Sequence, residues 1–296
     1  MNFNQLVKKQ TTMRILWLAV INIAIMLTLL IVSGGALAGF LPFILAYAII
    51  SPFCYLLFSK FFIKRAYAIK IVDENDEYYD WYVDMVYTIA ERAGLTEMPE
   101  VGIYEADDIN AFATGRSRNA SLIACSTALL DQMSIEAIEG VIAHEVAHIV
   151  NGDMVTSTLL QATMNMIIFF FVLPITAFKW FALFFADRYV VFFVTIIAIA
   201  EFIIAKFLFF LASLITNTFS RHREFKADHL AAQLTHPTNM IQALHEISGY
   251  AYLEPKHKKY ATLQFNGAYA IHDIFSTHPN TARRITQLQT NFNNMA

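Results

Sequence analysis

Residues 141–153, VIAHEVAHIVNGD, set His144 and His148 four apart, with Glu145 directly after the first. On an α-helix such residues lie about 40° apart around the axis and one turn apart along it, so both imidazoles face one point. Imidazole nitrogen and carboxylate oxygen suit zinc, which takes a tetrahedral set of such donors. Glu145 stands beside that point, placed to reach water there as a general base without being a ligand. Zinc lowers the pKa of water towards ~7 and polarises a carbonyl, which together give the HExxH chemistry of metalloproteases. The competing reading is a core helix whose histidines are satisfied otherwise. Ala143, Val146, Ala147, Ile149 and Val150 make this helix a buried one, where two imidazoles and a carboxylate need partners. An ion supplies them.

A catalytic zinc takes three protein ligands. The extended pattern HExxHxxGxxH is excluded, because Asn151 and Met154 stand where its glycine and third histidine would be. The other source is a glutamate on a later helix. Glu201 lies in an apolar run, whereas Glu224 lies in SRHREFKADHLA with Asp228 four residues on, hence on the same face. Glu224 is then the third ligand, and Asp228 accepts an N–H from a ligand histidine and orients it. A solvated, charged helix end is the alternative for that segment. His222, His229, His236, His245, His257 and His272 read as surface or core residues. Nitrogen and oxygen donors also hold other divalent ions. Cys54 and Cys125 make no disulfide framework, and Cys125, in SLIACSTALL, reads as a small buried hydrophobe.

These residues need elements to position them, and much of the chain is built for lipid. Of 296 residues 57% are hydrophobic and only 15% charged, against about 25% in a soluble domain. A net charge of −3 gives no footprint for nucleic acid. No charge interrupts Ile15 to Ser59, a run of 45 residues, where one span needs about 20. Two helices with a turn near Gly34-Gly35 or Pro42 fit it, and it is too long for a signal-peptide core. Met154–Phe178 and Tyr189–Ser220 give a second pair, four spans in all. Lys8, Lys9 and Arg14 before the first span, and Lys60, Lys64, Arg65 and Lys70 after the second, place both termini and the 64–153 segment in the cytoplasm. Glu201 and Lys206, costly in a bilayer, face the bundle or snorkel towards its edge.

The soluble segments read as a helix over Tyr78–Ala93 with Trp81, Val83, Val86, Tyr87 and Ile89 at helical spacing. Short strands EVGIYE, INAFATG and SLIACS follow, and then the HEVAH helix, capped by Ser134 and ended at Asn151-Gly152, with Asp153 capping the next span. The expected organisation is a membrane hairpin at 1–63, a protease part at 64–153, a second hairpin at 154–219 and a second protease part at 220–296. An even number of spans separates His144 from Glu224, so both reach one side of the membrane. The short distance from His148 to the third span, roughly 10 Å of helix, puts the metal near the lipid headgroups.

The sequence resembles the HtpX-type membrane zinc endopeptidases over nearly its whole length. INAFATG, SLIACSTALL, AHEVAHIVNGDM, SRHREFKAD and STHPNTARRI carry the resemblance, with a hairpin of spans on either side of HEVAH. It implies an α-helical membrane protein with a split cytoplasmic α+β zincin-like domain of gluzincin type. It also implies one zinc per chain held by His144, His148 and Glu224, with Glu145 catalytic. Asn110, Ala111, Phe112 and Ala113 resemble the edge strand beside the active-site helix, where a substrate backbone pairs as an added strand. His278 and Arg284 match positions in the related CAAX prenyl proteases thought to steady the tetrahedral intermediate. The family is associated with quality control of misfolded membrane proteins in the bacterial inner membrane. A CAAX-type processing protease and a non-catalytic adaptor or transporter built around Glu201 and Lys206 are the other readings.

Overall fold

The computed structural model describes residues 41–184, 187–253 and 280–293, with Leu16, Val20, Ile23 and Ala24 as isolated helical positions. Most of the first expected span, and His278, lie outside the described residues. In chain order the elements are helix α1 (Leu41–Ala66), strand β1 (Lys70–Val72), α2 (Asp80–Arg92), β2 (Glu100–Tyr104), β3 (Ala111–Gly115), β4 (Ser121–Ser126), α3 (Thr127–Gln132), α4 (Ile135–Asn151), α5 (Asp153–Leu183), α6 (Arg188–Leu234), α7 (Pro237–Leu253) and α8 (Thr281–Asn293). The chain divides into two compact units, Met1–Tyr55 with Thr158–Thr216 and Leu56–Ser157 with Asn217–Ala296.

The first unit contains most of α5 and the greater part of α6, two helices long and apolar enough to cross a membrane. Only 11% of each apolar window is buried, so neither is the core helix of a water-soluble fold. Phe171, Phe178, Trp180, Phe192, Phe202 and Phe209 are exposed, a surface that water disfavours and lipid accepts. Lys179, Glu201 and Lys206 interrupt this surface, and each has a partner. Glu201 accepts from Lys179 Nζ at 2.6 Å and from the Thr176 hydroxyl, both on α5. Lys206 lies over the Phe202 ring, 5.4 Å from its centroid.

The second unit holds a four-stranded sheet in the order β1-β2-β4-β3. β1 runs antiparallel to β2, β2 parallel to β4, and β3 antiparallel to β4, which leaves β3 at an edge. β2 and β4 are almost wholly buried. Their apolar, unalternating sequences suit strands covered on both faces. α2 turns Tyr82, Val83, Val86, Ile89 and Ala90 inward, a stripe shifted from the expected one because Trp81 and Tyr87 lie only half-buried.

α4 packs against α2, α7, β3 and β4, so its apolar side chains form the centre of the core. Ser134 caps its start, accepting from Ala137 N at 3.4 Å. The Glu246 carboxylate of α7 accepts from Ser134 N at 3.0 Å and from its hydroxyl at 2.6 Å. Gly152 ends α4 at φ 69°, a left-handed turn that costs glycine little. Its N–H reaches the carbonyls of His148 and Ile149. α7 crosses close to α4 at Gly140, where a Cβ would lie 2.5 Å from the Asn239 carbonyl oxygen.

Candidate metal centre

α4 delivers both imidazoles to one point. Their Nε2 atoms are 3.1 Å apart, and the rings meet edge to face. Glu224 arrives from α6, with Oε2 3.5 Å from His144 Nε2 and Oε1 3.4 Å from His148 Nε2. His144 and Glu224 are buried, at 6% and 3% exposure. Each imidazole turns its other nitrogen to a carboxylate: His144 Nδ1 lies 3.0 Å from Asp228 Oδ1, and His148 Nδ1 2.9 Å from Asp153 Oδ2. An ionised carboxylate only accepts, so when these rings are neutral the arrangement favours the proton on Nδ1, with the Nε2 lone pairs facing inward. Two lone pairs and a carboxylate at these separations repel unless a cation lies among them. One donor atom from each of the three residues lies within 4.8 Å of the other two, close enough to converge on one ion of tetrahedral preference. The residues fit a zinc ion.

The electrostatics point the same way. Burial opposes charge on His144, but Asp228 and Glu224 outweigh it and raise its pKa. Burial likewise opposes charge on His148, yet Asp153, Glu224 and Glu145 lift it to about 10. This is a site whose carboxylates call for positive charge at the imidazoles. Asp228 is itself buried, which would raise its pKa, and bonds from Arg284 and His144 hold it below the usual carboxylate range instead. Arg284 binds it in a fork, Nε to Oδ2 at 2.7 Å and Nη2 to Oδ1 at 2.5 Å, with Nη1 3.4 Å from Glu224 Oε2.

Glu145 is half-buried on the same helix, near enough for its charge to act on His148 and Arg284. The backbone of Asn110 faces β4: its N–H donates to Ser126 Oγ at 3.1 Å, and its carbonyl accepts from Ser126 N at 2.9 Å. Backbone groups alternate along an antiparallel strand, so those of Phe112 also face β4 and those of Ala111 and Ala113 face the outer edge. The Phe112 ring packs against Tyr67 and Tyr104. The structure thus brings together His144, His148, Glu224, Asp228 and Arg284, and it adds Asp153. Sequence reasoning gave Asp153 only a capping role in the next helix. The signal that would have found it is its position just past a left-handed glycine, which turns the chain back towards His148.

The family model described as Peptidase family M48 matches residues 80–291. The "Protease HtpX homolog" of Bacillus licheniformis is 39% identical over 263 residues, covering 87% of this chain and 86% of that protein. The "Protease HtpX" of Escherichia coli is 35% identical over 294 residues, covering 94% and 98%. That of Aeromonas hydrophila is 35% identical over 290 residues, covering 93% and 99%. The crystal structure of S. mikatae Ste24p shares the fold with a TM-score of 0.56 at 17% identity, over 95% of this chain and 66% of that longer one.

Proposed function

This chain belongs to peptidase family M48, and from that premise we propose that it is a zinc-dependent endopeptidase that cleaves misfolded or damaged membrane proteins. The observation that carries this reading is the convergence of His144 Nε2, His148 Nε2 and the Glu224 carboxylate, 3.1–3.5 Å from one another. These three would hold the ion. Zinc, when bound, supplies Lewis acidity to water and to the scissile carbonyl.

The remaining chemistry belongs to the protein. Glu145 takes the proton of the attacking water and returns it to the departing amine nitrogen. Asp228 holds His144 with its proton on Nδ1, and the Arg284 fork keeps that carboxylate in place. The outward N–H and C=O groups of Ala111 and Ala113 pair with an extended substrate, which selects for unfolded conformation over side-chain identity. In this reading four spans flank the two protease parts, 64–153 and 220–296. Both termini and the metal lie on the cytoplasmic side of a bacterial inner membrane, and substrates are proteins with exposed loops or tails.

The test is cleavage of an unfolded membrane protein by detergent-purified wild type and by Glu145→Ala, with zinc content measured on both. Wild type should cleave, lose cleavage to a chelator and regain it with zinc. Glu145→Ala should hold zinc yet cleave at least about 100-fold more slowly. Equal cleavage by both, or none by wild type under any metal condition, would overturn the reading.

A further inference from the structure

At the junction of α4 and α5, one turn of chain does two things. Gly152, at φ 69°, reverses the chain immediately after the His148 turn, and Asp153 opens α5 with its side chain pointing back. Its carboxylate lies 2.9 Å from His148 Nδ1 and is only 4% exposed. The turn is anchored from a third element. Arg223 of α6 donates from Nη1 to the Asp153 carbonyl at 3.1 Å and also to the Ser157 hydroxyl. Arg223 directly precedes Glu224, so α6 grips the Asp153 turn with one residue and faces the two imidazoles with the next.

We propose that Asp153 is the positioning residue of His148: it fixes the ring with Nδ1 protonated and Nε2 bare, and Arg223 holds it in register with Glu224. Each histidine then has its own carboxylate, Asp228 for His144 and Asp153 for His148, supplied by different helices. The physical reason for the pairing is general. A neutral imidazole has two tautomers and rotates about two bonds, and an outer carboxylate removes that freedom and makes the inner nitrogen a better donor. Asp228 takes its charge compensation from Arg284.

This inference rests on the zinc reading, and the test separates the two. Zinc affinity is measured on full-length protein by competition with a chromophoric chelator, and the visible absorption of the cobalt-substituted protein is recorded alongside. Asp153→Asn keeps an acceptor without the charge and should bind zinc about 10-fold more weakly, and Asp153→Ala nearer 100-fold, each with shifted cobalt bands. Thr156→Ala alters the same turn, where the hydroxyl bonds the Gly152 carbonyl at 3.2 Å. It should bind zinc within about twofold of wild type, since that bond goes to backbone and not to a ligand side chain. Asp153→Asn with wild-type affinity and cobalt spectrum overturns the inference. So does an Asp153→Asn chain that no longer folds, because that would place the residue in the fold rather than at the ligand. If wild type binds no zinc, or Glu224→Ala binds it equally well, the zinc reading itself has failed.

Discussion

Arg284 shows how one buried side chain can be given two different roles. The match with related proteases assigns it to the developing charge of the reaction, whereas its guanidinium is committed to Asp228 through two bonds and approaches Glu224 with Nη1. Both carboxylates are buried, at 2% and 3% exposure, and removing the guanidinium takes away the cation they share. Breaking a buried pair from one side typically costs about 3–5 kcal/mol. Arg284→Met should therefore lower the thermal midpoint and weaken zinc binding about 10–100-fold through the loss of a braced Asp228. Arg284→Lys keeps the charge but loses the fork, and should fall between wild type and Met. A transition-state role alone predicts otherwise: unchanged zinc affinity with a lower kcat. Zinc competition beside steady-state kinetics on both variants decides between them. Cys125 needs no such choice. Burial pushes its thiol up to about 12, so it stays protonated and packs as the sequence suggested.

At the scale of elements, α4 is where sequence and structure run closest. Its i, i+4 histidines converge because helical geometry leaves them no other course, and Ser134 and Gly152 cap it as their residue types favour. Strands β2, β3 and β4 were legible as short apolar runs between turn residues. β1 was not, because three residues, Lys70–Val72, carry no alternation to read. Nor does local sequence show that β4 lies between β2 and β3, since that order is set by long-range pairing. The Arg284–Asp228 pair joins residues 56 positions apart and was equally invisible. Gly140 is a further case: helix propensity alone would favour alanine there by about 1 kcal/mol. The Asn239 backbone lies where that methyl would go, and backbone cannot rotate aside. Gly140→Ala should therefore destabilise the protein by about 1–3 kcal/mol, seen as a lower thermal midpoint. Ile138→Val, a buried methylene lost from the same helix, gives a scale of about 0.5–1.5 kcal/mol for comparison.

Across the whole molecule, the long uncharged runs announce helices made for lipid, and α5 and α6 bear that out by leaving their apolar windows largely uncovered. What the runs conceal is how their few charges are satisfied. Glu201 and Lys206 sit five apart in sequence, but the partner of Glu201 is Lys179 on the preceding helix, 2.6 Å away. Intramembrane charges normally mark a transport path or a proton relay. Here one carboxylate is bonded to an ammonium and a hydroxyl, which is a fastening between two helices and needs no transported ion. A fastening and a transport path respond differently to mutation. Lys179→Leu leaves Glu201 in an apolar setting without its cation and should reduce the yield of folded protein extracted in mild detergent. Adding Glu201→Leu removes the orphaned charge and should restore that yield, with cleavage of an unfolded substrate close to wild type. Paired charges replaced together by apolar residues are often neutral in stability, while single losses are not. If the double variant is as poorly folded as the single one, or folds well but has lost cleavage, the pair does more than fasten α5 to α6, and the division between a lipid-facing hairpin and the protease unit must be redrawn.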